Sequence, residues 1–397
     1  MGVESMKKKL AMLLSTLLLA TSFAGCEVEK TGSSSNASSD VIRIGVFEPL
    51  TGANAAGGQI EIKGLEVAKA LYPEVLGKKI ELVTVDNKSD KVEAANAASR
   101  LVEKEKVSAI IGSWGSSLSL AAGETVKNGK IPTIGTSCTN PMVTEGNEYY
   151  FRVCFIDPFQ GEVMANYAFN KLKVKKAAIV QEVSNDYAVG LSKYFEDNLS
   201  KLTGDKNCIV EKANYNTGDT DFSAQLTNIK QKNPDVIFAP GNFTESAMLT
   251  KQARQLGITC PILGGDTWEN PDFLSIGGDA VEGVTFSTFF DAANPLTNET
   301  TKFLNKYKEM YGNEEPAAVA ALAYDAYLLL VQAIEKTGLT DSGTVDSVKL
   351  RDTIAEIKDF QGSAGVLNFD KNRNAIKPAI IKTVEKGKFK YLDVVQP

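Results

Sequence analysis

Ile110-Ile-Gly-Ser-Trp-Gly-Ser-Ser117 and Ile131-Pro-Thr-Ile-Gly-Thr-Ser-Cys-Thr-Asn-Pro141 decide how this chain is read. Each begins as a short apolar run of strand character and passes at once into Gly and hydroxyl residues. In a parallel α/β sheet such turns lie at the carboxyl ends of the strands, where ligands bind. The free N–H groups of a following helix, with Ser and Thr hydroxyls beside them, suit a carboxylate or a phosphate. Two such turns on consecutive strands converge on one anion.

The same alternation extends outward in both directions. Val41–Phe47, Ile80–Asp86, 107–111 and 131–135 read as strands, with amphipathic helices between them; Ile60, Leu65, Ala68 and Leu71 mark one helix face. A second series follows, with strands at 177–181, 208–213, 235–239 and 261–263 and helices at 160–172, 187–202, 221–231 and 244–256. Strand alternating with helix implies parallel sheets with right-handed crossovers, and two series imply two lobes. A strand at 282–290 carries the chain across, helices follow at 298–311, 317–335 and 346–358, and strands at 365–369 and 379–385 close it. The 317–334 run is apolar, but Asp325 and Gln332 interrupt it, so a buried core helix is expected rather than a membrane span.

Composition narrows the function. At 397 residues the chain exceeds one compact core, and its 43% apolar and 23% charged content is that of a globular protein. A net charge of −6 argues against nucleic acid as a partner. The chain has no histidine, which removes Ser-His-Asp and Cys-His nucleophile pairs and imidazole metal sites. It also lacks Gly-x-Ser-x-Gly and Gly-x-x-x-x-Gly-Lys-Ser/Thr, so neither a hydrolase elbow nor an ATP-binding loop is supported. Carboxylate, lysine or tyrosine chemistry stays open, so an enzyme is disfavoured but not excluded, and no metal or cofactor is implied.

At the amino terminus, Lys7–Lys9 precede the apolar run Leu10–Leu19 and then Thr-Ser-Phe-Ala-Gly-Cys ending at Cys26. This is an export signal. Cys26 directly after Ala24-Gly25 resembles a bacterial lipobox, whose cysteine is lipidated; the alternative is an ordinary signal peptide with a chance cysteine. Residues 27–40 have the polar, Ser-rich composition of a tether. Cys138, Cys154, Cys208 and Cys260 remain, and their spacing identifies neither a disulfide pair nor a zinc site.

Ile44-Gly-Val-Phe-Glu-Pro-Leu-Thr-Gly52, the two turns quoted above, Tyr150-Phe-Arg-Val-Cys-Phe155, Asp186-Tyr-Ala-Val-Gly-Leu191 and Phe360-Gln-Gly-Ser-Ala-Gly365 together resemble the leucine/isoleucine/valine-binding type of extracytoplasmic solute-binding protein. The resemblance covers the chain from about Val41 to its end and is carried by the order and spacing of the motifs. It implies a type I periplasmic-binding-protein fold, α/β, of two lobes, each with a mostly parallel sheet flanked by helices, joined by a three-strand hinge. The implied organisation is a signal peptide at 1–25, a lipid-anchored tether at 26–40, lobe one at 41–157 plus 288–361, and lobe two at 158–287 plus 362–397. The crossings fall near 156–158, 285–292 and 361–365. The resemblance further implies a monomer, held by its lipid on the outer face of a bacterial cell membrane. It would close on an amino acid with a branched-chain, aliphatic or aromatic side chain and deliver it to an ABC permease served by separate ATPase subunits.

By the same resemblance, Ser116 and Thr139 match hydroxyls that hold the ligand carboxylate, with Ser117 as the neighbour able to replace Ser116, and the carbonyl of Ser137 accepts from the ammonium. Tyr187 matches a tyrosine that closes over the ligand, and Asp266 matches an acid, often Glu, that pairs with the ammonium. Asn242 falls where branched-chain receptors carry an aromatic, and Trp114 and Trp268 flank the cleft as candidates for the side-chain pocket. Each residue also has a structural reading: helix capping for the hydroxyls, core packing for the aromatic rings, and a turn for Asp266. Asp325 either faces the cleft or is a capped or surface acid. Two other functions remain open on this scaffold, a sensory module for a membrane receptor and an amide or urea receptor that would not need Asp266.

Overall fold

The computed structural model describes residues 40–397, so the signal peptide, the tether and Cys26 lie outside the described residues. Chain order alternates from the start: β1 (Val41–Glu48), α1 (Ala55–Leu71), the short β2 (Glu74–Val75), β3 (Lys78–Asp86), α2 (Lys91–Ser99), β4 (Ala109–Ile111), α3 (Ser116–Gly129), β5 (Thr133–Gly135) and β6 (Tyr150–Arg152). These strands form a sheet in the order β2-β3-β1-β4-β5-β6, parallel throughout except for the β2 edge. β4 and β5 are buried at every position, as continuous apolar strands covered on both faces must be.

The second sheet is built from α4 (Asp157–Asn166), β7 (Ala177–Glu182), α5 (Asp186–Thr203), β8 (Ile209–Tyr215), α6 (Ser223–Lys232), β9 (Val236–Phe238), α7 (Phe243–Gln255), β10 (Ile262–Gly264), α8 (Pro271–Gly277) and β11 (Thr285–Thr288). The chain then returns to the first sheet through α9 (Asn298–Tyr311), α10 (Ala318–Thr337) and α11 (Ser347–Ala355). α9 and α10 pack on α1. Among the described residues α10 is long and apolar enough to cross a membrane, but 89% of its apolar window is buried, which makes it a core helix.

Beyond α11, β12 (Phe360–Gly362), β13 (Gly365–Phe369) and β14 (Ala375–Ile376) pair antiparallel as a small sheet of their own. The 362–376 segment, which the sequence reading assigned to lobe two, pairs within this small sheet and not with the strands of the second sheet. Its strands are joined by tight turns and pair locally before they can reach β11. Only β15 (Ala379–Glu385) and β16 (Lys388–Val395) complete the second sheet, in the order β16-β15-β11-β10-β9-β7-β8. β15 runs antiparallel to β11. Asp325 of α10 serves the local turn: its carboxylate accepts from the backbone N–H groups of Ser363 and Ala364, at 3.0 Å for the latter, and it is buried away from the cleft.

Candidate functional site

β4 and β5 deliver the two hydroxyl turns to the same place. Gly115 has φ of 91°, a conformation that glycine adopts without strain, and so turns the chain sharply into α3 with Ser116 first. Ser116 Oγ accepts from the backbone N–H of Asn140 at 3.1 Å, which ties one turn to the other. On the far side of both turns lie two buried carboxyls, Glu48 and Glu61. Glu48 Oε2 accepts from the Trp114 N–H at 2.6 Å, while Glu61 accepts from Thr136 and Ser137 hydroxyls, each at 2.6 Å. Burial raises the Glu61 carboxyl to about 8 against the opposing hydrogen bonds from Ser137 and Thr136. Glu48 is raised well above the usual range by burial and then by Glu61. Arg152 props the second turn from behind, donating to the Asn140 carbonyl at 2.8 Å.

Lobe two answers with acids. Tyr187 OH donates to Asp266 Oδ1 at 2.9 Å and Gln160 Nε2 donates to the same oxygen at 2.7 Å. Gly265 makes this reach possible, since a Cβ there would sit 2.1 Å from the Tyr187 hydroxyl. Burial pushes the Asp266 carboxyl up to about 6, opposed by those two hydrogen bonds. Next to it, Asp157 opens α4 fully buried. The buried Thr139 hydroxyl against it is its hydrogen-bonding neighbour, placed outside ordinary hydrogen-bond geometry. Burial and then the Asp266 charge drive Asp157 well above the usual carboxylate range, with Thr139 opposing. A carboxyl this deep with so weak a partner is favoured in its neutral form.

Between the lobes lies a cavity of about 80 Å³. Trp114, Ser116, Ser137, Tyr187 and Asn242 line it. Thr139 and Asp266 do not line it, although Tyr187 joins Asp266 to the cavity wall. Trp268 is placed elsewhere: fully buried in lobe two, it stacks on Phe273 with ring centroids 4.8 Å apart. The space it needs comes from Gly264, where a Cβ would meet the indole at 2.2 Å. Trp268 therefore packs the core and does not form a pocket wall.

The two lobes are drawn together over the cavity. Lys91 Nζ reaches Asp186 Oδ2 at 2.8 Å, and Ser117 Oγ both donates to that oxygen and accepts from the Asp186 N–H. Asn242 Nδ2 donates to Asn54 Oδ1 at 2.9 Å, and Trp114 meets Phe243 edge-on at 6.1 Å. Ser117 is thus a closing contact. Sequence reasoning missed Asp157, Glu48 and Glu61; an acid at the carboxyl end of a buried parallel strand, as in Phe47-Glu48-Pro49, was the available signal.

Comparisons with known proteins agree with this architecture. A family profile described as periplasmic binding protein matches residues 41–388. The chain is 31% identical over 316 residues to an amino acid binding protein of Pseudomonas aeruginosa, covering 78% of this chain and 82% of that one. Among solved structures, a leucine binding protein, LivK, of Thermotoga maritima is 41% identical with a TM-score of 0.85, covering 90% of this chain and 99% of its own. The branched-chain amino acid transporter substrate binding protein LivJ of Streptococcus pneumoniae, in complex with isoleucine, is 35% identical with a TM-score of 0.82, covering 90% of this chain and all of its own (100%). With its two α/β lobes closed over a cleft and a profile match spanning almost the whole described chain, this protein belongs to the periplasmic binding protein family.

Proposed function

We propose that this chain is the substrate-binding component of an ABC importer and that it captures an α-amino acid between its lobes without turning it over. One observation carries the reading: Tyr187 joins the buried Asp266 to the wall of a cavity whose lining also includes Ser116 and Ser137 of the two hydroxyl turns. A zwitterion suits both sides of that cavity, an ammonium for the acid and a carboxylate for Ser116 and the turn N–H groups. Ser137 contributes its backbone, since its hydroxyl is engaged by Glu61. The named relatives, an amino acid receptor and a receptor holding isoleucine, support the same class of ligand.

Hinge closure buries the ligand and brings surfaces of both lobes into one face, which a permease can read as the loaded state. Cys26, after Ala24-Gly25, would anchor the exported monomer to the outer face of the cell membrane; replacing it with Ser should release the protein into the medium. A thermal-shift screen of the purified protein against the common amino acids, urea and short amides tests the ligand class. A ligand specific for the folded form raises the melting temperature by mass action. A shift with amino acids is expected; a shift with urea or amides alone overturns the ammonium site.

A further inference from the structure

The cleft beyond the amino-acid head group is ringed by amides. Asn185 and Asn242 stand at the starts of α5 and α7, and Asn54 at the start of α1 on the opposite lobe. Asn185 Nδ2 donates to Glu182 Oε2 at 3.0 Å and to Asn242 Oδ1 at 3.1 Å, and the Asn242 N–H donates to Glu182 at 3.2 Å. Asn242 Nδ2 then crosses the cleft to Asn54 Oδ1. Glu182 is fully buried and Asn242 and Asn185 are 5% and 9% exposed, while Asn54 at the end of the chain of bonds is half-buried. All four side chains belong to residues that line the cavity together with Trp114.

We propose that this end of the site recognises an amino acid whose uncharged side chain carries an acceptor oxygen, an amide or a hydroxyl. The inference rests on the α-amino-acid reading above. An amide nitrogen has two N–H donors. Asn242 spends one on Asn54, whose own contribution to that bond is its oxygen, so the second Asn242 N–H and the Asn54 amide hydrogens remain as donors. A branched hydrocarbon closed against them would bury donors with nothing to accept them, which a ligand oxygen avoids. A carboxylate side chain meets the opposite problem. Glu182 is buried behind the amides, and the cation at the mouth, Lys91, is already paired with Asp186. The Trp114 face offers a flat surface for the methylene stem that leads to the polar end.

Isothermal titration of the purified full chain, stripped of carried-over ligand by unfolding and refolding, decides the matter. Glutamine, asparagine, serine and threonine are compared with leucine, isoleucine, valine and glutamate. At least one of the first four should bind at least tenfold tighter than any of the last four. Equal or tighter binding of leucine, isoleucine, valine or glutamate overturns the inference and leaves the α-amino-acid reading intact. Failure of every amino acid overturns that reading and the inference with it. Asn242→Ala provides the second arm: both ligands lose the closing bond to Asn54, but the preferred polar amino acid should weaken about tenfold more than leucine. An equal loss for both would mean that Asn242 serves lobe closure alone, and the inference falls.

Discussion

Lys91 of lobe one and Asp186 of lobe two meet across the mouth of the cleft at 2.8 Å, and Ser117 bonds both the carboxylate and the backbone N–H of the same aspartate. The three residues come from the starts of α2, α3 and α5, so the contact exists only when the lobes are together. Both charged side chains are about half exposed, which limits such a pair to about 0–1 kcal/mol. Lys91→Ala should therefore weaken ligand affinity by no more than about fivefold, through faster release, and the effect should vanish in high salt. Stopped-flow release rates at two ionic strengths check this; an unchanged rate would mean the pair does not hold the closed form.

Ligand affinity should depend on pH through Asp266. Burial raises its carboxyl to about 6, so it is charged above that pH and neutral below it. The ammonium of the ligand needs the charged form. Affinity is thus present above about pH 6 and lost as pH falls through it, by up to about tenfold per pH unit. Asp157, also buried and raised, acts in the same direction. Titrations from pH 5 to 8 should show the slope, and Asp266→Asn should bind weakly with a flatter profile. A wild-type profile that is flat would remove Asp266 from the ammonium site.

Stability should run the other way. Glu61 is raised from 4.5 to about 8, so the folded state holds a proton that the unfolded chain has released. Its contribution is fully present below 4.5 and is lost as pH rises through about 8. Asp266 and Asp325, both near 6, have the same sign but finish earlier. Between pH 7 and 8 the melting temperature of the ligand-free protein should fall, and Glu61→Gln, which imitates the protonated acid, should flatten that fall. An unaltered slope in the variant would show that the Glu48–Glu61 pair does not carry the proton.

The sequence contains two tryptophans, and the structure gives them different duties. Trp114 lines the cleft while Trp268 is sealed against Phe273. Ligand-induced change in intrinsic fluorescence should survive Trp268→Phe and disappear in Trp114→Phe. The reverse result would return Trp268 to the site.

Periodicity carried the two lobes because buried parallel strands and amphipathic helices leave long, regular signals. It put α9 at 298–311, where the structure has it. It missed β6, three residues long, and β16, whose alternating pattern lies among charged residues. The turns bearing Ser116 and Thr139 were legible because Gly and hydroxyl residues follow apolar strands directly. Trp268 was misplaced because an indole next to a Gly pair looks the same in sequence whether it faces a cleft or a core. Asp157 and Glu48 were overlooked because an acid beside proline ordinarily marks a helix start or a turn; only complete burial singles them out.

The hairpin of β15 and β16 has one more consequence. β11 sits between β10 and β15, so the interior of the second sheet is not closed until the last nineteen or so residues arrive. The first sheet, by contrast, draws all its strands from an unbroken stretch ending at Arg152, and lacks only the helices α9 and α10. A chain emerging amino end first can register its first sheet early, while the second sheet waits for β15 and β16. Loss of the β15–β16 hairpin would leave β11 as a bare edge, open to pairing with another copy.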